Sequence, residues 1–143
     1  MDLPNSLNEL INNQKTRREL TFGSHFIFFH VYFGHYVDCK TAPFQKEMFA
    51  LTEDPEVKNI VIVAFRGSGK STIMNMSFPL WSILGAPQCK YVMIVGLTQE
   101  QAKRHLKNIK QELESNQLLK DDLGPFKEIE NDWSSYTLEI PSL

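Results

Sequence analysis

The chain has 143 residues, of which 42% are apolar and 22% are charged. This composition is typical of a globular protein and excludes a disordered tail or a collagen-like chain. Lys and Arg total 15 and Asp and Glu total 17, giving a formal net charge of -2, so any nucleic-acid contact would need a local basic patch.

The first elements in chain order are predicted to be helices. Ser6 and Glu9 have the spacing of a capping box, and proline in the first turn predicts another helix that enters through residues 41–43 and ends at residues 53–55. Between them lies an aromatic segment whose helical spacing does not exclude a buried strand. Its members at steps of four, three and four are Phe22, Phe26, Phe29 and Phe33.

The centre of the chain alternates apolar runs with helical patterns. Residues 60–64 and 91–95 are continuous apolar runs typical of strands covered on both faces. The first run is followed by a glycine loop and a helix over residues 71–84, which Pro79 should kink or shorten. The second run precedes a capping box at Thr98 and Gln101 and a long amphipathic helix.

The end of the chain completes the fold prediction. Gly124 and Pro125 break the chain, and apolar residues alternate with polar ones over 136–140, which predicts a last strand. Alternating strands and helices predict an α/β fold with parallel, right-handed βαβ units. Three strands are few for such a sheet, so we expect the N-terminal part of a longer domain.

The loop after the first predicted strand has the pattern of a phosphate-binding loop, with Ala64 in place of the first glycine. Small residues at 67–69 allow backbone N–H groups to surround phosphate oxygens, and the following helix directs its positive end at the same anion. Lys70 would reach the β- and γ-phosphates, and the hydroxyl of Ser71 would bind Mg²⁺. The loop residues predicted to bind ATP are Ala64, Phe65, Arg66, Gly67, Ser68, Gly69, Lys70 and Ser71.

Two features qualify this prediction. Arg66 is equally well interpreted as a solvated loop residue or as a guanidinium that stabilises charge on the γ-phosphate in the transition state. Neither central apolar run is followed in register by the acidic residue that holds Mg²⁺ in such ATPases. Asp121 and Asp122 are interpreted as turn residues before Gly124, so the hydrolytic half of the site is not evident.

Other chemistry-bearing residues are assigned to packing or to solvent. His30, His35 and Cys39 could suggest a metal site, but their spacing and apolar surroundings favour core or surface roles. Cys39 and Cys89 are predicted to be free thiols of a reducing compartment. Trp81 and Trp133 are predicted to be packing residues rather than base-stacking platforms. A basic run is interpreted as a solvated helix face, with a contribution to DNA or partner contact as the alternative; its members are Lys103, Arg104, Lys107 and Lys110.

No membrane segment is expected. Residues 1–20 are polar with charges of both signs, unlike a signal peptide. The most apolar stretch, residues 22–37, contains three histidines and is too short to span a bilayer.

From about residue 41 onward the chain resembles the N-terminal part of the large terminase subunit, the ATP-driven motor that packages DNA into tailed-phage capsids. The resemblance rests on the arginine-containing loop at 64–72, on residues 81–83 of the next helix and on the run at 91–102 with its Thr-x-x-Gln-Ala helix start. Residues 109–116 and 123–124 resemble the family's long helix and its exit. Residues 43–45 weakly resemble the stretch that places a glutamine near adenine, with a plain helix-surface position equally open for Gln45.

The resemblance implies a RecA-like P-loop NTPase with a mainly parallel sheet, preceded by N-terminal helices. Residues 1–40 would be an N-terminal helical segment and 41–143 the first part of the ATPase domain, truncated before the acidic strand end and the nuclease domain. It implies that Arg66 and Lys70 are catalytic, that Ser71 is the metal ligand, and that ATP and Mg²⁺ are the cofactors. Thr72 and Gln45 would join the ATP-binding residues. In the complete protein, hydrolysis would drive translocation of double-stranded DNA, with a portal and a small terminase subunit as partners.

The resemblance also implies a location in the host cytoplasm and transiently at the capsid portal. Because the acidic and water-activating groups are missing, we expect this chain by itself to hydrolyse ATP slowly. Two alternatives stay open. One is a helicase or DNA-repair ATPase with the same loop; the other is a non-catalytic nucleotide-binding module that docks through the aromatic segment 22–36.

Overall fold

The computed structural model describes residues 12–126, 134, 136–138 and 140. Within these residues the regular secondary structure is helical. Contacts divide the chain into two compact units, Met1–Lys90 and Tyr91–Leu143. The predicted capping box at Ser6 and Glu9 and the predicted packing role of Trp133 lie outside the described residues.

The aromatic segment is helical, as one of its two interpretations predicted. Helix α1 spans Gln14–Gly23 and helix α2 spans His25–Tyr32. The hydroxyl oxygen of Ser24 accepts a hydrogen bond from the N–H of Ile27 and caps α2, so the aromatic spacing runs across a break between two helices. A 3-10 helix, Gly34–Tyr36, follows.

Helix α3 spans Pro43–Glu53, which confirms the predicted entry and end. Proline suits the first turn because its missing N–H would have no intrahelical partner there. Met48 and Phe49 are buried on the inner face of α3.

The helix predicted over residues 71–84 is present but is interrupted. It consists of α4 (Lys70–Thr72), a π-helical turn (Ile73–Ser77) and α5 (Phe78–Leu84). The N–H of Phe78 donates to the carbonyl of Ile73, five residues back. The π-helical turn ends just before Pro79, which has no N–H to continue an α-helical ladder and falls in the first turn of α5.

Aromatic side chains from three helices form the core of the first unit. Phe28 and Tyr32 of α2, Phe49 of α3 and Trp81 of α5 are buried, and Trp81 therefore packs as predicted. The indole N–H of Trp81 donates to the carbonyls of Thr21 (3.2 Å) and Phe22 (3.3 Å). This anchors α5 against the end of α1.

The described part of the second unit contains a long and a short helix. Helix α6 spans Gln99–Ser115 and α7 spans Gln117–Leu123. The Thr98 side chain accepts from the N–H of Gln101, as the predicted cap requires. The interpretation of Asp121 and Asp122 as turn residues is wrong: both lie in the last turn of α7, and Asp122 is buried. No helix in the described parts of the chain is long and apolar enough to cross a membrane.

The predicted α/β fold, a RecA-like P-loop NTPase with a mainly parallel sheet, is wrong. Neither residues 60–64 nor residues 91–95 form a strand, and no strand or sheet occurs in the rest of what the structure describes, including 136–138. The two central runs belong to different units. Their side chains alternate between half-buried and exposed, with Val61 at 89% and Val63 at 91% of full exposure.

The physical reason is that an apolar, β-branched run favours extended backbone but does not supply the second strand with which it would pair. A strand is stabilised by inter-strand hydrogen bonds and by side chains packed on its faces. An alternating pattern of exposure leaves half of each run's apolar surface in water. The sequence thus showed two runs with the composition of strands, and the predicted strands are absent.

Candidate nucleotide-binding site

The loop at residues 64–72 is shaped by two glycines in the left-handed region. The N–H of Ser68 donates to the carbonyl of Phe65 at 3.3 Å, closing a turn. Gly67, at the third position of that turn, has a φ of 87°, which a type II turn requires there. Gly69 has a φ of 78° and stands immediately before helix α4. Both positions favour glycine because a side chain is strained at positive φ.

Several backbone N–H groups of the loop are available to a ligand. Among the residues that the structure describes, the amides of Gly67, Gly69, Ser71 and Thr72 donate to no backbone carbonyl. The Lys70 amide makes only a long contact, 3.4 Å, to the hydroxyl of Ser68. The first N–H groups of a helix lack intrahelical partners and attract anions, so this loop is suited to an anion such as phosphate.

Gln45 of helix α3 holds the loop from one side. Its Oε1 accepts from the N–H of Ala42 at 2.9 Å, and its Nε2 donates to the carbonyl of Ser68 at 2.9 Å. A Cβ added to Gly69 would lie 3.0 Å from Nε2 of Gln45. Gly69 therefore leaves the space in which Gln45 reaches the loop.

A cavity of about 210 Å³ lies beside the loop, within the first unit. Gly67, Gly69 and Thr72 form the loop side of its wall, and Gln45 also lines it. The aromatic residues Phe29, Tyr36 and Phe49, the segment 37–41 and Ile73 complete the lining. The cavity thus combines an aromatic wall with a glycine-rich edge.

The charged residues of the predicted site lie outside this lining. Arg66 and Ser71 are exposed and Lys70 is half-buried, and the described cavity wall includes none of them. Ala64 is half-buried, and the exposed ring of Phe65 meets Phe44 edge-on, with 5.5 Å between centroids. The structure therefore brings Gln45, Gly67, Gly69 and Thr72 to one cavity and leaves the two cations beside it.

The other sequence candidates are placed separately. His30 is buried: its ring contacts the Phe26 carbonyl through Nδ1 (2.8 Å) and the Thr41 hydroxyl through Nε2 (2.7 Å). His35 is exposed, and Cys39 and Cys89 are exposed free thiols. In the described part of the chain, no three His, Cys, Asp or Glu side chains are grouped as metal ligands.

Two members of the basic run are engaged with the chain itself. The ammonium of Lys103 lies 4.5 Å from the centroid of the Tyr136 ring, and that of Lys110 donates to the carbonyl of Ser134. Arg104 and Lys107 are exposed on the same helix. The choice between a solvated face and a DNA contact stays open.

Sequence analysis missed the cavity residues upstream of the loop. Tyr36 and residues 37–41 carry no motif. The one signal nearby is that they precede the helix entry at Pro43. The bridge from Gln45 to Ser68 joins residues 23 positions apart. A contact of that range leaves no periodic signal in the sequence.

Comparisons of the chain with family models, with characterised proteins and with solved structures find no match. The terminase resemblance thus rests on the motifs in the sequence, and the function that it implies is argued below as a proposal.

Proposed function

We propose that this protein binds ATP with Mg²⁺ through the loop at 64–72, and that it is the ATP-binding part of a viral DNA-packaging motor of the terminase large subunit type. In such a motor, ATP hydrolysis drives double-stranded DNA into a capsid. The ATPase activity and the DNA partner follow from the resemblance, and the nucleotide site follows from the loop.

The observation that carries the proposal is the conformation of residues 67–72. Two left-handed glycines flank Ser68, and four nearby amides lack backbone acceptors in the described residues. Such amides bind an anion at little cost because they need not first break a protein hydrogen bond. The adjacent aromatic cavity would accommodate the flat base of the same ligand.

The residues present fit a triphosphate with its metal ion. Arg66 and Lys70 place two positive charges in the loop, where phosphates need neutralisation. Ser71 is an exposed residue of α4, and one hydroxyl suffices because Mg²⁺ in nucleotide sites takes most of its ligands from phosphates and water. Bound Mg²⁺ would offset the charge of the phosphates.

The aromatic segment gives little support to the alternative of a docking module. Phe28, Phe29, Tyr32 and Phe33 are all buried in the core of the first unit. A docking face needs apolar area in contact with water. Of the segment's Phe and Tyr rings, Phe22 and Tyr36 are the exposed ones, at 44% and 46%, so these two rings at its ends would have to carry any docking contact.

A titration of the purified chain with ATP and Mg²⁺ tests the proposal. Lys70→Ala should weaken ATP binding by about ten-fold or more, since a charge-assisted hydrogen bond contributes about 1.5–3 kcal/mol. Lys58→Ala is the matched control, because Lys58 is an exposed lysine outside the loop, and it should bind ATP like the wild type. Equal affinities of the wild type and Lys70→Ala would contradict the proposal.

A further inference from the structure

We infer that Gln45 is a positioning residue for the phosphate-binding loop: it fixes the Ser68–Gly69 peptide so that the Gly69 N–H is directed toward the bound phosphates. This inference rests on the proposed nucleotide-binding function. It assigns Gln45 a role in holding the loop rather than in recognising the base.

The side-chain amide of Gln45 fits this position in one orientation only. Its oxygen faces the N–H of Ala42 and its nitrogen faces the carbonyl of Ser68, both at 2.9 Å. Exchanging the two ends would place a donor against a donor and an acceptor against an acceptor. The first turn of helix α3 and the loop are therefore joined by one rigid amide plane.

Holding the Ser68 carbonyl also determines where the next N–H points. The C=O of Ser68 and the N–H of Gly69 belong to one planar peptide group, and that bond is trans. In a trans peptide the C=O and N–H bonds point in opposite directions. While Nε2 of Gln45 holds the carbonyl, the Gly69 N–H is directed away from Gln45, and no backbone carbonyl among the described residues accepts from it.

The neighbouring groups leave Ser68 little freedom to turn. Its side chain is buried, with 3% exposure, and its N–H is bonded to the carbonyl of Phe65. A larger residue at Gly69 would have to displace the Gln45 side chain, because a Cβ there would lie 3.0 Å from Nε2. Pre-ordering the peptide removes an entropy cost that nucleotide binding would otherwise include.

Binding measurements with three probes separate positioning from base recognition. Inorganic tripolyphosphate, ATP and GTP share the phosphate chain and differ in the base. Gln45→Met removes both hydrogen bonds, and Gln45→Glu keeps the acceptor but sets a carboxylate against the Ser68 carbonyl. Each variant should weaken all three ligands by a similar factor, about five-fold or more. The matched control is Gln111→Glu, at an exposed position of α6, which should leave all three unchanged.

Other binding results would contradict either the positioning role of Gln45 or the proposed function. A changed ATP-to-GTP ratio with unchanged tripolyphosphate binding would make Gln45 a base reader, and unchanged binding of all three would remove its role. Loss of binding in Gln45 variants with none in Lys70→Ala would overturn the proposed function instead. If the wild type binds none of the probes, both statements fall together.

A measurement on the wild type covers the case in which the variants unfold. Nuclear Overhauser effects between the Gln45 side-chain amide protons and the Gly69 α-protons are expected in the ligand-free protein, because Gly69 lies against Nε2. Their absence would show that the bridge is not formed and would overturn the inference.

Discussion

Gly67 and Gly69 have nearly the same backbone conformation but different surroundings. Their φ angles are 87° and 78°. A Cβ on Gly67 would meet nothing within 4 Å, whereas one on Gly69 would press on Gln45 at 3.0 Å. At the scale of single residues, a side chain at Gly67 would lower the free energy of unfolding through backbone strain alone, whereas one at Gly69 would also displace Gln45.

Alanine at each glycine should reveal these two costs. Gly67→Ala is expected to lower the free energy of unfolding by about 1 kcal/mol through backbone strain alone. Gly69→Ala should lower it by about 2 kcal/mol or more, since it also disturbs the hydrogen bond from Gln45 to Ser68. Urea denaturation of both variants measures the difference. Equal losses would contradict the close contact at Gly69.

At the scale of elements, His25 connects helices whose contact with each other is not evident from the sequence. From the start of α2, its Nδ1 contacts the Thr52 hydroxyl of α3 at 2.7 Å and its Nε2 contacts the Ser77 hydroxyl of the π-helical turn at 3.0 Å. Thr52 donates its own proton to the carbonyl of Phe49. Thr52 must therefore accept from Nδ1–H. A neutral ring in this tautomer accepts from the Ser77 hydroxyl through Nε2, and burial, which lowers the pKa of His25, favours that neutral form.

The stability of the fold should fall in acid because of His25. Burial, and secondarily the charge of nearby His30, lower the pKa of His25 from 6.5 to about 3. Between those values the unfolded chain binds a proton that the folded chain does not. His25 therefore contributes stability that is fully present above pH 6.5 and is lost as the pH falls toward 3, by up to about 1.4 kcal/mol per pH unit.

Urea denaturation between pH 7 and pH 5 checks this expectation. His25→Asn is the reference protein, since asparagine can still donate to Thr52 but does not titrate. The wild type should lose more free energy of unfolding than His25→Asn over this range. Identical pH slopes for the two proteins would refute the role of His25.

At the scale of the whole molecule, two apolar runs form no strand pairing with any other part of the chain that the structure describes. Val61 and Val63 in the first unit, and Met93 and Val95 in the second, expose most of their side chains. Extended apolar segments without partners are common points of self-association. Solubility should therefore depend on these outward positions more than on the helices.

Threonine at both Val61 and Val63 should reduce self-association of the protein at high concentration. The free energy of unfolding should change by less than about 0.5 kcal/mol, as is usual for exposed positions. Light scattering and sedimentation velocity measure the association. The matched control places threonine at Ile60 and Ile62, which are half-buried, and should lower stability with less effect on association. Equal scattering by all three proteins would contradict this assignment.

The helices and the loop were predictable because their signals are local. Pro43 at a helix entry, Thr98 as a cap and the glycines at 67 and 69 each act within a few residues of themselves. The interruption at residues 73–77 was foreseen in part from Pro79, which cannot continue a hydrogen-bonded helix.

The sheet prediction failed because strand pairing depends on residues far apart in the chain. The composition of residues 60–64 and 91–95 favours extended backbone, but hydrogen-bonded pairing needs a second segment in register. The position of Gln45 illustrates the same limit at the site. Its sequence context weakly suggested a residue near adenine, whereas its two hydrogen bonds depend on how α3 packs beside the loop.

The amino-acid sequence by itself determined the entry of α3 at Pro43, the cap of α6 at Thr98 and the glycine loop before α4. Only the tertiary structure decided that the apolar runs pair with no other described segment, that Gln45 bridges to Ser68 and that His25 is buried between Thr52 and Ser77. Local features follow from interactions within about four residues, which a sequence displays directly. Long-range contacts depend on which surfaces meet after the chain has folded.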